Sequence, residues 1–173
     1  RQAKRRRMFV IWTVVCLLLL AVGYFVYSYG LDYYRKYYAC PGVKIDYYRY
    51  PVTGIDVSSH QGNIDWKEVY DSKVYFAFIK ATEGENFVDK RFTKNWKEAK
   101  ANNIIVGAYH FFSYDSPGQT QAENFIKTVQ PFDGMLPPVI DLEFYGDKEA
   151  NPPSREYVDS QLKTMLQVLE DHY

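Results

Sequence analysis

Two carboxylates two residues apart, Asp141 and Glu143, stand in the run Leu-Pro-Pro-Val-Ile-Asp-Leu-Glu-Phe at 136–144. The run reads as a β-strand, in which alternate side chains share a face. Val139, Asp141 and Glu143 therefore point one way, and Ile140, Leu142 and Phe144 the other. Two acids on one strand repel, and burying unpaired carboxylates is costly. The arrangement asks either for cationic partners or for a site that exploits a raised pKa, the state a general acid needs. A D-x-E at a strand end facing solvent is the bland alternative, and the surrounding elements must decide.

Those elements begin at residue 52, where short apolar strands start to alternate with amphipathic segments, the signature of βα units and a parallel sheet. The pattern predicts strands over 53–58, 74–80 and 104–111, with 136–144 as the fourth. On the first, Ile55 and Val57 share one face, and Gly54, Asp56 and Ser58 the other. Helices are predicted over 63–72, 89–102 and 117–129; in the second, Phe92, Trp96 and Ala99 fall at i, i+4 and i+7. Asn151-Pro152-Pro153 then breaks the chain, and Ser154 is a candidate N-cap for a helix bearing Val158, Leu162, Met165, Leu166 and Leu169. The first and fourth strands each carry acid near the carboxyl end, where barrel enzymes place their chemistry. The expected fold is α/β, half of a (β/α) barrel.

Ahead of that domain the charge pattern changes. Arg1, Lys4, Arg5, Arg6 and Arg7 form a basic cluster, and no charged residue occurs between Met8 and Leu31. At ~1.5 Å per residue such a helix crosses the ~30 Å hydrocarbon core. The positive-inside rule puts residues 1–7 in the cytoplasm, 8–31 across the membrane as a signal-anchor, and the rest outside. Cleavage near Ala21-Val22-Gly23 would instead give a secreted protein. Residues 32–51, rich in tyrosine, read as a stalk. Outside the basic cluster acids outnumber bases, which excludes nucleic acid as a partner, because phosphate binding needs clustered Lys and Arg. Cys16 and Cys40 offer no disulfide framework, and His60, His110 and His172 show no metal-site spacing, so neither metal nor cofactor is expected.

The motifs along 52–173 resemble glycoside hydrolase family 25, the lysozymes called Chalaropsis-type muramidases. They are Gly54-Ile55-Asp56-Val57-Ser58 with His60-Gln61-Gly62 and Ile64-Asp65-Trp66, then Phe78-Ile79-Lys80-Ala81-Thr82-Glu83-Gly84 with Asp89 and Phe92. Val106-Gly107-Ala108-Tyr109-His110-Phe111-Phe112, Gln121-Ala122 and the D-x-E run follow in the family's order. The resemblance implies an irregular, TIM-like barrel, here its first four βα units, and hydrolysis of the β-1,4 bond between N-acetylmuramic acid and N-acetylglucosamine in peptidoglycan. Glu143 matches the family's general acid, its pKa raised by the charges of Asp141 and Asp56. Asp141 would stabilise the sugar cation or an acetamido intermediate, and Asp56 would be a further catalytic carboxylate. The family's second half, with another late carboxylate, is missing from this sequence, so the domain is expected to be incomplete at its C-terminus.

For the remaining residues two readings stand side by side. Tyr109 alternates with Gly107 and Phe111, so it would face inward and hydrogen-bond the sugar or Asp141. Lys80 and Glu83 either line the cleft or form a structural ion pair. His110 falls on the opposite face and reads as a packed, hydrogen-bonded histidine. Trp66 and Trp96 sit at helical apolar positions and read as core. Two other functions compete with the muramidase: a non-catalytic peptidoglycan-binding or scaffold protein using the same cleft, and a different barrel glycosidase of the chitinase-like kind.

Overall fold

The computed structural model describes residues 2–37 and 48–173, in two units, Arg1–Asp46 and Tyr47–Tyr173. The first unit holds helix α1, Gln2–Tyr37. Its segment Lys4–Leu31 is 28 residues long, apolar, and unburied. By length and composition it can cross a membrane. The helix continues past Leu31 to Tyr37, so the first residues assigned to the stalk are helical. Residues 38–47 of that stalk, with Cys40, lie outside the described residues.

The second unit is built on five strands: β1 Thr53–Val57, β2 Val74–Glu83, β3 Phe87–Val88, β4 Ile105–Phe111 and β5 Val139–Asp141. β1, β2, β4 and β5 are parallel neighbours in that order, and β3 pairs antiparallel with β2. Because spatial order follows chain order, every right-handed crossover steps the same way and puts its helix on the same face of the sheet. The helices are α2 Trp66–Asp71, α3 Phe92–Ala101, α4 Gly118–Thr128 and α5 Arg155–His172. Ala77, Ile79, Val106, Ala108 and Phe112 from the sheet segments meet Trp66, Phe92, Ala99, Phe125 and Met165 from the helices in one buried core. Trp96 packs against that core, so both tryptophans assigned to it belong to it.

Local chemistry sets the element ends. The Asp65 carboxylate accepts from Lys67 N and Glu68 N, both at 3.1 Å, and starts α2. Ser154 caps α5 by accepting from Tyr157 N at 3.3 Å, as its sequence position predicts. The fourth strand is far shorter than expected. Pro137 and Pro138 have no N–H to give to a ladder, so pairing starts at Val139 and ends at Asp141, leaving Glu143 beyond the strand. The predicted apolar face also divides: Ile140 and Leu142 join Leu162 and Leu166 in an apolar groove, whereas Phe144 turns to Tyr114. β3 and the bend before it carried no signal in the alternation.

α4 and α5 approach backbone to backbone at Gly118, where a Cβ would overlap the Gln161 carbonyl. Gln161 Oε1 also accepts from Gly118 N at 2.8 Å. Gly118→Ala must therefore push the two helices apart, and overpacking of this kind costs about 1–3 kcal/mol. Urea unfolding should give a lower midpoint with an unchanged slope.

Candidate active site

The register of the parallel ladder collects one set of side chains at the carboxyl ends of the strands, on the face away from the helices. Asp56 lies beside Phe78, which lies beside Gly107; Lys80 lies beside Tyr109, and Glu83 beside Phe111, which pairs with Asp141. Deeper in the sheet, a Cβ at Gly54 or Gly107 would enter the ring of Phe76 or Phe78. Glycine at these positions lets the two rings lie across the sheet and floor the site.

Lys80 and Glu83 are three residues apart, a spacing that puts side chains on opposite faces of a regular strand. They share a face because the register shifts between Lys80 and Thr82, giving a bulge at Ala81. Lys80 is 9% exposed and its Nζ lies 2.7 Å from Glu83 Oε2. The same ammonium lies 4.6 Å from the centroid of the Phe111 ring. The ion-pair reading of these residues holds, and the pair also stands on the carboxylate face.

Asp141 is half-buried and close enough to the Glu143 carboxylate to feel its charge. Burial raises its pKa above the ordinary carboxylate range, and the charges of Glu143 and Asp56 add to that, while Lys80 opposes it.

Tyr109 is pushed up to about 12, by burial first and then by the charges of Asp56, Asp141 and Asp89, against a hydrogen bond with Ser58. Its phenol therefore stays protonated. Asp56, Asp141, Glu143, Tyr109 and Lys80 thus act on one another in one place, as their sequence positions suggested. The turn after β1 is capped by Ser58, whose Oγ accepts from His60 N at 3.2 Å, which leaves Asp56 to the site.

Residues 55–173 match the family described as Glycosyl hydrolases family 25. This chain belongs to glycosyl hydrolase family 25. YegX of Escherichia coli (strain K12) is 42% identical over 106 residues, covering 58% of this chain and 39% of YegX. Lysozyme M1 of Streptomyces globisporus is 44% identical over 96 residues, 53% of this chain and 33% of that protein. Among solved structures, a family 25 glycosyl hydrolase from Bacillus anthracis superposes with a TM-score of 0.72 at 55% identity, covering 75% of this chain and 58% of that one. The chain thus matches 33–39% of the length of these two curated relatives. Its curled parallel sheet, half of a barrel with helices outside, is consistent with the family 25 fold.

Within this family 25 domain, Asp89 had been noted only as part of a motif. Its carboxylate is 4% exposed and accepts from Ser59 N at 2.9 Å and Arg91 N at 2.8 Å. It ties the loop after β1 to the start of α3, so it fixes the turn that carries Ser58 and supports Tyr109. Ser58 and Phe111, which alternation puts on the faces of Asp56 and Tyr109, also neighbour the site: Phe111 pairs with Asp141, and Ser58 acts on Tyr109.

Proposed function

We propose that this protein is a muramidase, cleaving the β-1,4 bond between N-acetylmuramic acid and N-acetylglucosamine in peptidoglycan strands. The observation that carries the reading is the convergence of Asp141, Glu143, Asp56 and the protonated Tyr109 at the carboxyl end of the sheet. The name of lysozyme M1 and the family membership support it. In this reading the family's irregular TIM-like barrel supplies the scaffold, the domain spans 52–173, and Tyr109, Lys80 and Glu83 contact the glycan.

Asp141 and Glu143, two residues apart at one strand end, lie on the same side of a substrate, whereas a nucleophile and acid acting on opposite sides of a sugar stand about 5–5.5 Å apart. That favours attack by the substrate's own 2-acetamido oxygen on C1. Glu143 gives a proton to the leaving oxygen as the C1–O bond breaks. Asp141, as the anion, accepts from the acetamide N–H and stabilises the positive charge of the cyclic intermediate. Water opens the ring and returns a proton to Glu143. Asp56 adds negative charge where the sugar becomes positive.

Loss of turbidity from purified cell walls, with the new reducing end identified, tests the assignment. Reducing ends on N-acetylmuramic acid are expected. Ends on N-acetylglucosamine would overturn the muramidase, and wall binding without cleavage would mean a scaffold role. Lys80→Met adds a test of the pair. Lys80 favours the charged form of Asp141, so its removal raises that pKa and moves the acid limb of the pH–rate profile to higher pH.

We also read α1 as a single-pass anchor, with residues 1–7 in the cytoplasm and the domain outside. The full-length protein should sediment with membranes and lose its domain to protease added outside the cell membrane. Recovery from the cytosol would overturn this, and a mature N-terminus near Tyr24 would mean a cleaved signal.

A further inference from the structure

Phe144, the residue after Glu143, is 52% exposed although its ring is held in place. One face is covered by Tyr114, at 5.4 Å between centroids and 26° between planes. Tyr114 is itself 5% exposed and packs edge-on against Phe112 at 5.5 Å. Its backbone carbonyl accepts from the Tyr157 hydroxyl at 3.3 Å. Tyr145 lies 5.3 Å from Phe111, and its hydroxyl donates to Ser113 Oγ at 3.4 Å. Lys148 bridges to Asp115 at 3.0 Å. The segments following β4 and β5 are therefore locked together, both at the carboxyl ends of adjacent strands, the edge that carries the carboxylates.

A single exposed aromatic needs no explanation in itself. This one is fixed on one side, open on the other, and next to the acid, whose charge, after burial and Tyr145, helps push the Tyr114 phenol up. Pyranose rings of a β-1,4 glycan present axial C–H groups on their faces and polar groups at their edges. A flat apolar surface beside a carboxylate complements that pattern, and a ring already ordered costs little entropy on binding.

We propose that the open face of Phe144 is a stacking platform for a pyranose ring, holding the glycan beside Glu143. The inference rests on the muramidase reading. In that reading the platform determines affinity for the glycan and leaves the chemical step to the carboxylates.

The test uses the full-length protein with two readouts, wall hydrolysis and direct binding of chitotetraose by calorimetry. Phe144→Ala should raise KM and the chitotetraose Kd about threefold to tenfold, with the larger change in KM than in kcat. Phe144→Leu should do the same, because it keeps the packing on Tyr114 but has no flat face, and Phe144→Tyr should recover most of the affinity. Leucine restoring KM and Kd would overturn the platform in favour of simple packing, as would a fall in kcat with KM unchanged. Unaltered Kd in Phe144→Ala, or a wild-type protein that does not bind chitotetraose, would also overturn it. Binding that depends on Phe144 in a protein that leaves walls intact would instead keep the platform and reject the hydrolase.

Discussion

Glu143→Gln in the full-length protein is expected to lower wall hydrolysis by about 10²–10⁴-fold, a barrier increase of roughly 3–5 kcal/mol, while glycan binding survives. The substitution keeps the shape of the side chain and removes its ability to give a proton to the leaving oxygen. The local packing therefore changes little. Asp141→Asn should lose rate for another reason, a weaker hold on the positive charge at the sugar. The decisive comparison is the initial rate of turbidity loss at saturating wall. Near-full activity in Glu143→Gln would remove this residue from the role of acid.

His110 should make the fold sensitive to acid between pH 6.5 and 4. The ring is fully buried behind the sheet, edge-on to Phe125 at 6.3 Å. Burial lowers its pKa to about 4, against a contrary contribution from the hydrogen bond with Gln121. Gln121 Oε1 also accepts from Ser113 N at 2.8 Å, and Gln121 Nε2 donates to the carbonyls of Ser113 and Ser116, both at 2.8 Å. That pattern fixes the amide orientation, so His110 Nε2 donates to Oε1 at 2.9 Å and Nδ1 accepts from the Thr82 hydroxyl at 2.7 Å. The imidazole is neutral in the folded protein. In the unfolded chain it titrates near ~6.5, so between those values the unfolded state binds the extra proton. Stability is then lost as pH falls below about 6.5, by about 3 kcal/mol once pH reaches 4, and the slope from this group ends there. Urea unfolding of the wild type and His110→Phe across this range checks it. The variant should have the flatter dependence, and parallel curves would refute the assignment.

Much of this was readable from residue order because the determining interactions are local or periodic. Alternation located the four parallel strands, helical spacing put Phe92 and Ala99 in the core, and the position of Ser154 marked the start of α5. The alternation of 107, 109 and 111 separated Tyr109 from His110 correctly. What escaped depends on partners distant in sequence. Val139 to Asp141 form the ladder with β4, and ahead of them Leu136 N donates to the Val106 carbonyl while Pro137 and Pro138 have no donor to give, which a hydrophobicity pattern cannot register. The raised pKa at Asp141 depends on how deeply each member of the pair is buried, which no spacing reveals. Ser58 and Asp89 reach Tyr109 only through the crossovers that bring three strand ends together.

The bulge at Ala81 has a consequence for how the length of β2 can vary. A strand's two-residue alternation works as a reading frame, and the bulge is a frameshift of one residue. Upstream of it, losing a single residue from within 75–79 would turn part of the strand over, sending apolar groups to the carboxylate face or Lys80 into the helices. Losing Ala81 itself would close the bulge and leave Thr82 toward His110 and Glu83 toward Phe111, giving up one small core side chain and the bond from Asp89 N to the Ala81 carbonyl. Tolerance to a deletion in this strand is therefore confined to one position, and an acid three residues after a lysine marks where to look for it.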